Sequence, residues 1–293
     1  MLYVHKILIA LITSEVLFFV NSEQSSNNAH NQQSMSDPAV DIERDPNLVG
    51  GFLKGLSVIE AFDSDTSRLA IADVSKATGL DRATCRRLLL TLVHAGYAQF
   101  DGKFFSLAPS VLRLGYAYIR SASLPNTVQP FVEKLSREIE ESCSGAILEG
   151  DHIVYIARAS QRRVMSINLG VGSKVPAYCS SMGRVLLASL ESETARQTLS
   201  AADRPRVTPK TRIGVRDIMA ELDQVRRQGY ALVDEELELG LRSIAVPIRN
   251  MRNEVVAAMN VGTQSARVAV ERMINEFLPP MQQTAASISR VLP

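Results

Sequence analysis

The stretch Asp81-Arg-Ala-Thr-Cys-Arg-Arg-Leu-Leu-Leu-Thr-Leu-Val-His-Ala95 carries the strongest local signal in the chain. Cys85, Leu88, Leu89, Leu92 and Val93 fall at i, i+3, i+4, i+7 and i+8, one apolar stripe of a helix. The other face presents Arg82, Ala83, Thr84, Arg86 and Arg87 near its start. Asp81 is a good N-cap, and Gly79 just before it tolerates the positive φ of a sharp interhelical turn. Working upstream, Ile71 and Val74 mark the buried side of a short helix near Ala70–Ala77. Phe52, Leu56, Ile59 and Phe62 mark another over residues 52–62. Downstream, Gly96–Phe100 and Lys103–Leu107 flank Asp101-Gly102, a strong hairpin signal, with Lys103 just past its tip. Helix, helix-turn-helix and hairpin in this order make a winged helix.

Such a module reads double-stranded DNA when its second turn-helix carries long donors. Arg bridges guanine edges or clamps phosphate, Thr and Ala touch a thymine methyl, and the helix N-terminus favours a phosphate. The competing reading is a structural three-helix module with solvated arginines. The turn, the arginine face and the wing coincide, which favours DNA, with Arg82, Thr84, Arg86, Arg87 and Lys103 as contacts. Cys85 and His94 are read as packing residues.

Bulk properties frame this. A chain of 293 residues suggests about two domains. With 46% hydrophobic and 22% charged residues it can build full cores, and a net charge of +1 makes any DNA footprint local. The absence of Trp argues weakly against a carbohydrate surface. Cys85, Cys143 and Cys179 are scattered and odd in number, which fits a reducing cytoplasm and neither a disulfide framework nor a metal site. No cofactor is expected.

Residues 1–48 read as a disordered extension. Ile7–Val20 is apolar behind Lys6 but broken by Glu15, and too short to span a bilayer comfortably. No small-residue cleavage site follows it, and Asn21–Ser36 is a polar tract. Between an export segment and a translation start at Met35, the second is preferred, and no membrane partner is expected. The winged helix takes residues 49–108, a helical linker 109–124, and a larger domain 125–293.

In the linker, Pro109 starts a helix to Ser121, Pro125 and Pro130 bracket a break, and Val128–Ile139 forms another helix. Beyond it, Cys143–Glu149 and Asp151–Arg158 alternate as paired strands about Gly150-Asp151, and Val164–Leu169 is a further strand. Ser180–Leu190 and Ile218–Gln228 read as helices; Tyr230–Val233, Arg242–Arg249 and Val255–Gly262 as strands. Ala266–Leu278 and Met281–Leu292 close the chain as two helices about Pro279-Pro280. Strands with helices packed on them give an α+β fold. At Val175–Arg184, the free N–H groups of a helix start, the Ser180 and Ser181 hydroxyls and Gly183 suit a carboxylate ligand. Plain N-capping by Ser180 explains them equally well. The run Asp234-Glu-Glu236 with Glu238 could serve as catalytic carboxylates, but reads better as a solvated or salt-bridged surface.

Three motifs carry a family resemblance. Leu80–Leu92 followed by Gly96-Tyr97 resembles the reading helix of the IclR family. So do Gly170-x-Gly172-x3-Pro176-Ala177-x-Cys179-Ser180-Ser181-x-Gly183-Arg184, and Asp234-Glu-Glu-x3-Gly240-Leu-Arg-Ser243 with Ala245-x-Pro247. The match spans roughly residues 50–290 with motifs in order. The Pro176–Arg184 form and Arg163-Val-Met-Ser-Ile-Asn168 look most like the branch controlling aromatic-acid breakdown through the β-ketoadipate pathway.

The resemblance implies a winged helix, a GAF-like effector-binding domain, and a dimer or dimer of dimers on palindromic operator DNA, with RNA polymerase as a further candidate partner. Its ligand pocket falls at Ser181, Met182 and Gly183, with Val164, Ile167 and Val175 as apolar walls and Ser243 and Asn260 as polar groups. Position 243 is often Cys in the family, and residues 1–34 have no counterpart in it. The expected effector is an aromatic or dicarboxylic acid such as protocatechuate, p-hydroxybenzoate or β-ketoadipate, its carboxylate at the Ser180–Gly183 helix start. The rivals are a ligand-independent DNA-binding regulator and a hydrolase using Cys179. The second lacks a nucleophile-elbow motif, and His152 is the sole histidine outside the reading head and the extension.

Overall fold

The computed structural model describes residues 48–62, 66–115, 123–161 and 169–292. The readings made for residues 1–47 and for the strand Val164–Leu169 before Leu169 lie outside them.

The N-terminal module runs α1 (Gly50–Glu60), α2 (Ile71–Thr78), α3 (Arg82–His94), β1 (Ala98–Phe100) and β2 (Phe105–Leu107). Gly79 closes α2 in the left-handed region at φ 71°, and Asp81 caps α3 by accepting the Thr84 N–H at 2.9 Å. Val58, Leu69, Val74, Cys85, Leu89 and Phe105 form the core. Leu69 exchanges backbone hydrogen bonds of 3.0 and 2.8 Å with Phe105, adding a third, one-residue strand to the wing. Two details differ from expectation. The fully buried residue of α1 is Val58; of the expected stripe Phe62 packs against the core and Ile59 is half-buried, while Phe52 and Leu56 are 65% and 38% exposed. His94 is exposed, because it sits on the last turn of α3 away from the Cys85–Leu89 stripe.

Pro109–Val111 forms a 3-10 turn. The C-terminal module then runs α4 (Ser123–Ile139), β3 (Ser142–Glu149), β4 (His152–Ala159), β5 (Lys174–Pro176), α5 (Ser181–Ser189), α6 (Ser192–Ala201), α7 (Val215–Gln228), β6 (Ala231–Asp234), β7 (Leu241–Arg249) and β8 (Val255–Gln264). A helical turn (Val270–Arg272), a π-helical segment (Met273–Phe277) and α8 (Leu278–Ser289) end it. The strands form one antiparallel sheet in the order β5-β4-β3-β8-β7-β6. Val128, Val132 and Leu135 of α4, with Met281 and Ile288 of α8, cover one face. Met182 and Leu187 of α5, Leu199 of α6, and Ile218 and Leu222 of α7 cover the other.

The prolines cut the chain less than their chemistry suggests. Pro130 lies inside α4, which runs through without the expected break. One ladder bond is lost there, but Val128 and Val132 are fully buried on either side of it. Pro279 and Pro280 likewise do not separate two helices. They fill the first turn of α8, where an N–H is dispensable, and the preceding turn widens to a π-segment to feed into it. Helix α6 and strand β5 were not anticipated; both are short and weakly periodic.

The acidic run after β6 is not all surface. Glu236 is buried and meets Arg184 of α5, itself 1% exposed, through a two-point fork of 2.8 and 2.6 Å. Arg184 Nε also donates to the Tyr178 carbonyl at 3.2 Å, and Glu236 accepts the Arg212 N–H at 3.0 Å. A buried pair so fully bonded costs little to keep and much to break. Arg184→Met is expected to lower stability by about 3–5 kcal/mol, while Arg184→Met with Glu236→Leu recovers most of the loss, as read from urea unfolding midpoints.

Candidate functional site

Two surfaces carry chemistry. On α3, Arg82, Arg86 and Arg87 are exposed, and the opposite stripe is anchored by fully buried Cys85 and Leu89. Thr84 is half-buried and engaged: its N–H and hydroxyl serve the Asp81 carboxylate, which they hold below the usual carboxylate range. The start of α3 is therefore already occupied by an anion, and the arginines are what remains to meet a phosphate. At the wing, Asp101 accepts the N–H groups of Lys103 and Phe104 at 2.9 and 2.8 Å. Those two amides, then the paired Arg68 guanidinium, hold its carboxyl down to about 2. Lys103 Nζ and the Arg68 guanidinium both lie over the Phe104 ring, 5.0 and 5.2 Å from its centre. Arg68 was not anticipated. It precedes the one-residue strand at Leu69, which the sequence gives no sign of pairing with the wing.

The second surface is a pocket in the C-terminal module, between the start of α5 and the middle of the sheet. Ser180, Ser181 and Met182 form its helix side. Ser142 and Ser144 of β3, Ser243 of β7, and Asn260 and Gly262 of β8 form a small polar row on its sheet side. The register explains the row. Ser144 pairs with Asn260, and Gly262 pairs with both Ser142 and Ser243, so all five share one face. Leu169, Leu237 and Leu241 close the apolar wall.

Tyr155 and Arg158 of β4 complete it. Residues three apart on a regular strand point to opposite faces. Here the pairing slips between Gly145 and Ala146, so that Ala157 and Tyr155 are their partners and Ile156 is the extra residue of a bulge. The bulge resets the alternation and turns Arg158 to the same side as Tyr155. Burial pushes the Tyr155 phenol up to about 12, leaving it a neutral donor. Ser181 Oγ is buried and has no hydrogen-bond partner among the described residues. A hydroxyl desolvated without compensation costs free energy, which a polar ligand atom would recover.

Nucleophilic chemistry fits the module poorly. The Cys179 thiol faces the Pro176 carbonyl at 4.0 Å, and burial pushes its ionisation up to about 11, away from the thiolate. His152 is engaged with Asp151 at 2.7 Å.

Both modules match known families: the IclR helix-turn-helix domain over residues 53–102, and the bacterial transcriptional regulator IclR C-terminal model over residues 116–290. The chain belongs to the IclR family. The Pca regulon regulatory protein of Pseudomonas putida is 44% identical over 236 residues, 80% of this chain and 81% of that protein. A transcriptional regulator from Rhodococcus sp. RHA1 superposes with a TM-score of 0.73 at 42% identity, covering 84% of this chain and 98% of its own. The inducer-binding domain of a PobR double mutant from Acinetobacter, solved with 3-hydroxybenzoic acid, matches at a TM-score of 0.56 and 31% identity over 58% of this chain and all of that one. This IclR protein is thus a DNA-binding, ligand-responsive transcriptional regulator of catabolic genes.

Of the residues expected in the pocket, Ser181, Met182, Ser243 and Asn260 come together there. Val164 and Ile167 lie outside the described residues. Val175 is buried in the α5-side core and does not line the pocket. Gly183 does not line it either. Its N–H caps back to Ser180 Oγ at 3.2 Å, and a Cβ there would stand 2.2 Å from the Ala177 carbonyl oxygen. The glycine serves close packing of α5 on the preceding loop, not approach to a ligand. Arg158, Tyr155 and Ser144 were missed. The one available hint was Ser142 and Ser144 alternating inside a strand otherwise covered on both faces.

Arg86→Ala is expected to weaken operator binding by about 1–3 kcal/mol and to flatten its salt dependence, with an unchanged thermal melt. Gel-shift titration over a salt series checks this; normal operator binding by Arg82→Ala, Arg86→Ala and Arg87→Ala alike would remove α3 as the reading surface.

Proposed function

We propose that this regulator senses a small aromatic or dicarboxylic acid in the pocket between α5 and the sheet, and acts on its operator as a dimer or dimer of dimers. The observation that carries the reading is the buried Ser181 hydroxyl at the start of α5, without a partner among the described residues and facing a row of small polar side chains and a leucine wall. The Pseudomonas putida relative and the Acinetobacter domain holding 3-hydroxybenzoic acid support the aromatic class. Arg82, Thr84, Arg86, Arg87 and Lys103 meet DNA, with Arg68 beside Lys103 on the wing. A near-neutral chain concentrates its DNA affinity in this small basic patch, and two-fold symmetry doubles it. The effector regulates by binding one geometry of the assembly more tightly than another, a coupling of about 1–3 kcal/mol.

Calorimetry with protocatechuate, p-hydroxybenzoate and β-ketoadipate tests the effector class. At least one should bind the wild type, and Ser181→Ala should bind it about tenfold more weakly. Absence of binding by all three would overturn the assignment.

A further inference from the structure

The geometry points to Arg158 as the residue that sets the charge of the effector, selecting an acid with a single carboxylate on an apolar body bearing neutral hydroxyls. This rests on the effector reading above and moves the carboxylate away from the helix start. At that start the Gly183 N–H is already donated to Ser180 Oγ and the Arg184 N–H to the Ser180 carbonyl. What remains beside them is the Ser181 hydroxyl and the Ser181 and Met182 N–H groups, uncharged donors suited to a ligand hydroxyl or carbonyl.

Arg158 is different in kind. Among the described residues it is the one charged side chain lining the pocket. Its Nε donates to Ser160 Oγ at 2.9 Å and its Nη1 to Ser144 Oγ at 3.3 Å, both neutral acceptors. By contrast, Arg184, Arg226, Arg242 and Arg267 in the same module each hold a carboxylate, from Glu236, Asp223, Asp234 and Glu141. No acidic partner for Arg158 stands among the described residues. Its position is nonetheless fixed. The Gln129 side chain of α4 accepts the Arg158 N–H at 2.9 Å and donates to its carbonyl at 3.0 Å. A guanidinium held by neutral groups at a pocket wall, with donors to spare, is preorganised for a carboxylate.

The charge balance then limits the ligand. One cation neutralises one carboxylate. A second carboxylate would be buried against Leu237, Leu241, Met182 and the neutral Tyr155 phenol, where an unpaired charge is costly. Asn260 and Ser243, separated from Arg158 by strand β3, and Ser181 on the helix side suit hydroxyl groups.

The test is calorimetry on the full chain with 4-hydroxybenzoate, the isosteric neutral 4-hydroxybenzamide, and adipate. Wild type should prefer the acid to the amide by about 10–100-fold, and prefer it to adipate. Arg158→Gln should abolish the acid-over-amide preference while holding amide affinity within about threefold, which also reports an intact pocket. Should Arg158→Gln fail to fold, Arg158→Lys carries the test: keeping the charge but losing the fork, it should show a reduced acid preference. An undiminished preference in either variant, or adipate binding the wild type as tightly as the hydroxybenzoate, overturns the proposal and leaves the effector reading standing. Binding of none of the three probes by wild type overturns this proposal, and the effector reading falls with it when protocatechuate and β-ketoadipate also fail to bind.

Discussion

Arg184 is charged, 1% exposed, and closed on Glu236 by two hydrogen bonds. A charge so deeply placed cannot be left without its partner, so the position of α5 and the position of the β6–β7 connection are set together. The same connection is tied down elsewhere. Thr208 Oγ1 donates to the Glu235 carbonyl at 2.7 Å, Thr211 Oγ1 to the Glu236 carbonyl at 2.7 Å, and Lys210 pairs with Glu235. Tyr178 donates to the Pro205 carbonyl at 2.5 Å, joining the loop before α5 to the segment after α6. Ser181 and Met182 on one side of the pocket, and Leu237 and Leu241 on the other, thus belong to a frame fixed by the buried Arg184–Glu236 pair, the Lys210–Glu235 pair and their supporting hydroxyls. A rigid frame is what lets a few polar atoms discriminate between ligands of similar size.

The two functional surfaces use their helix starts in opposite ways. On α3, Asp81 takes up the first-turn amides, and the positive charge needed for nucleic acid comes from side chains further along the helix. On α5, a neutral serine caps the helix, and the residue after it keeps an unused hydroxyl in the interior. An acidic cap steadies a helix that must be displayed at the surface. A neutral cap places no charge on the helix wall of the pocket.

How much of this was legible follows from which signals are local. The winged helix was readable because its cues lie within a few residues of each other: the Gly79 turn, the Asp81 cap, the Cys85–Leu89 stripe and the Asp101-Gly102 hairpin all stand in the structure. The pairing of Leu69 with Phe105 was not, because it joins positions distant in sequence with no pattern of its own. In the C-terminal module the strands followed their alternation, and the family motifs led to Ser181, Ser243 and Asn260. Glu236 looked like a surface residue because its partner is 52 positions away. Gly183 looked like a ligand contact because a motif does not say that the Ala177 carbonyl lies against its Cα. Pro130, Pro279 and Pro280 looked like breaks because propensity is local, whereas the burial that overrides it is not.

The slip at Ile156 has a wider consequence. Counting residues along β4 in twos puts Arg158 on the side of the sheet that packs on α4, where a guanidinium would have no place. One surplus residue moves it to the other side. The charge of the cavity wall therefore depends on the bulge as well as on the identity of Arg158. The surplus residue, Ile156, places its own side chain in the core on the α4 side, so the bulge serves both faces of the sheet at once.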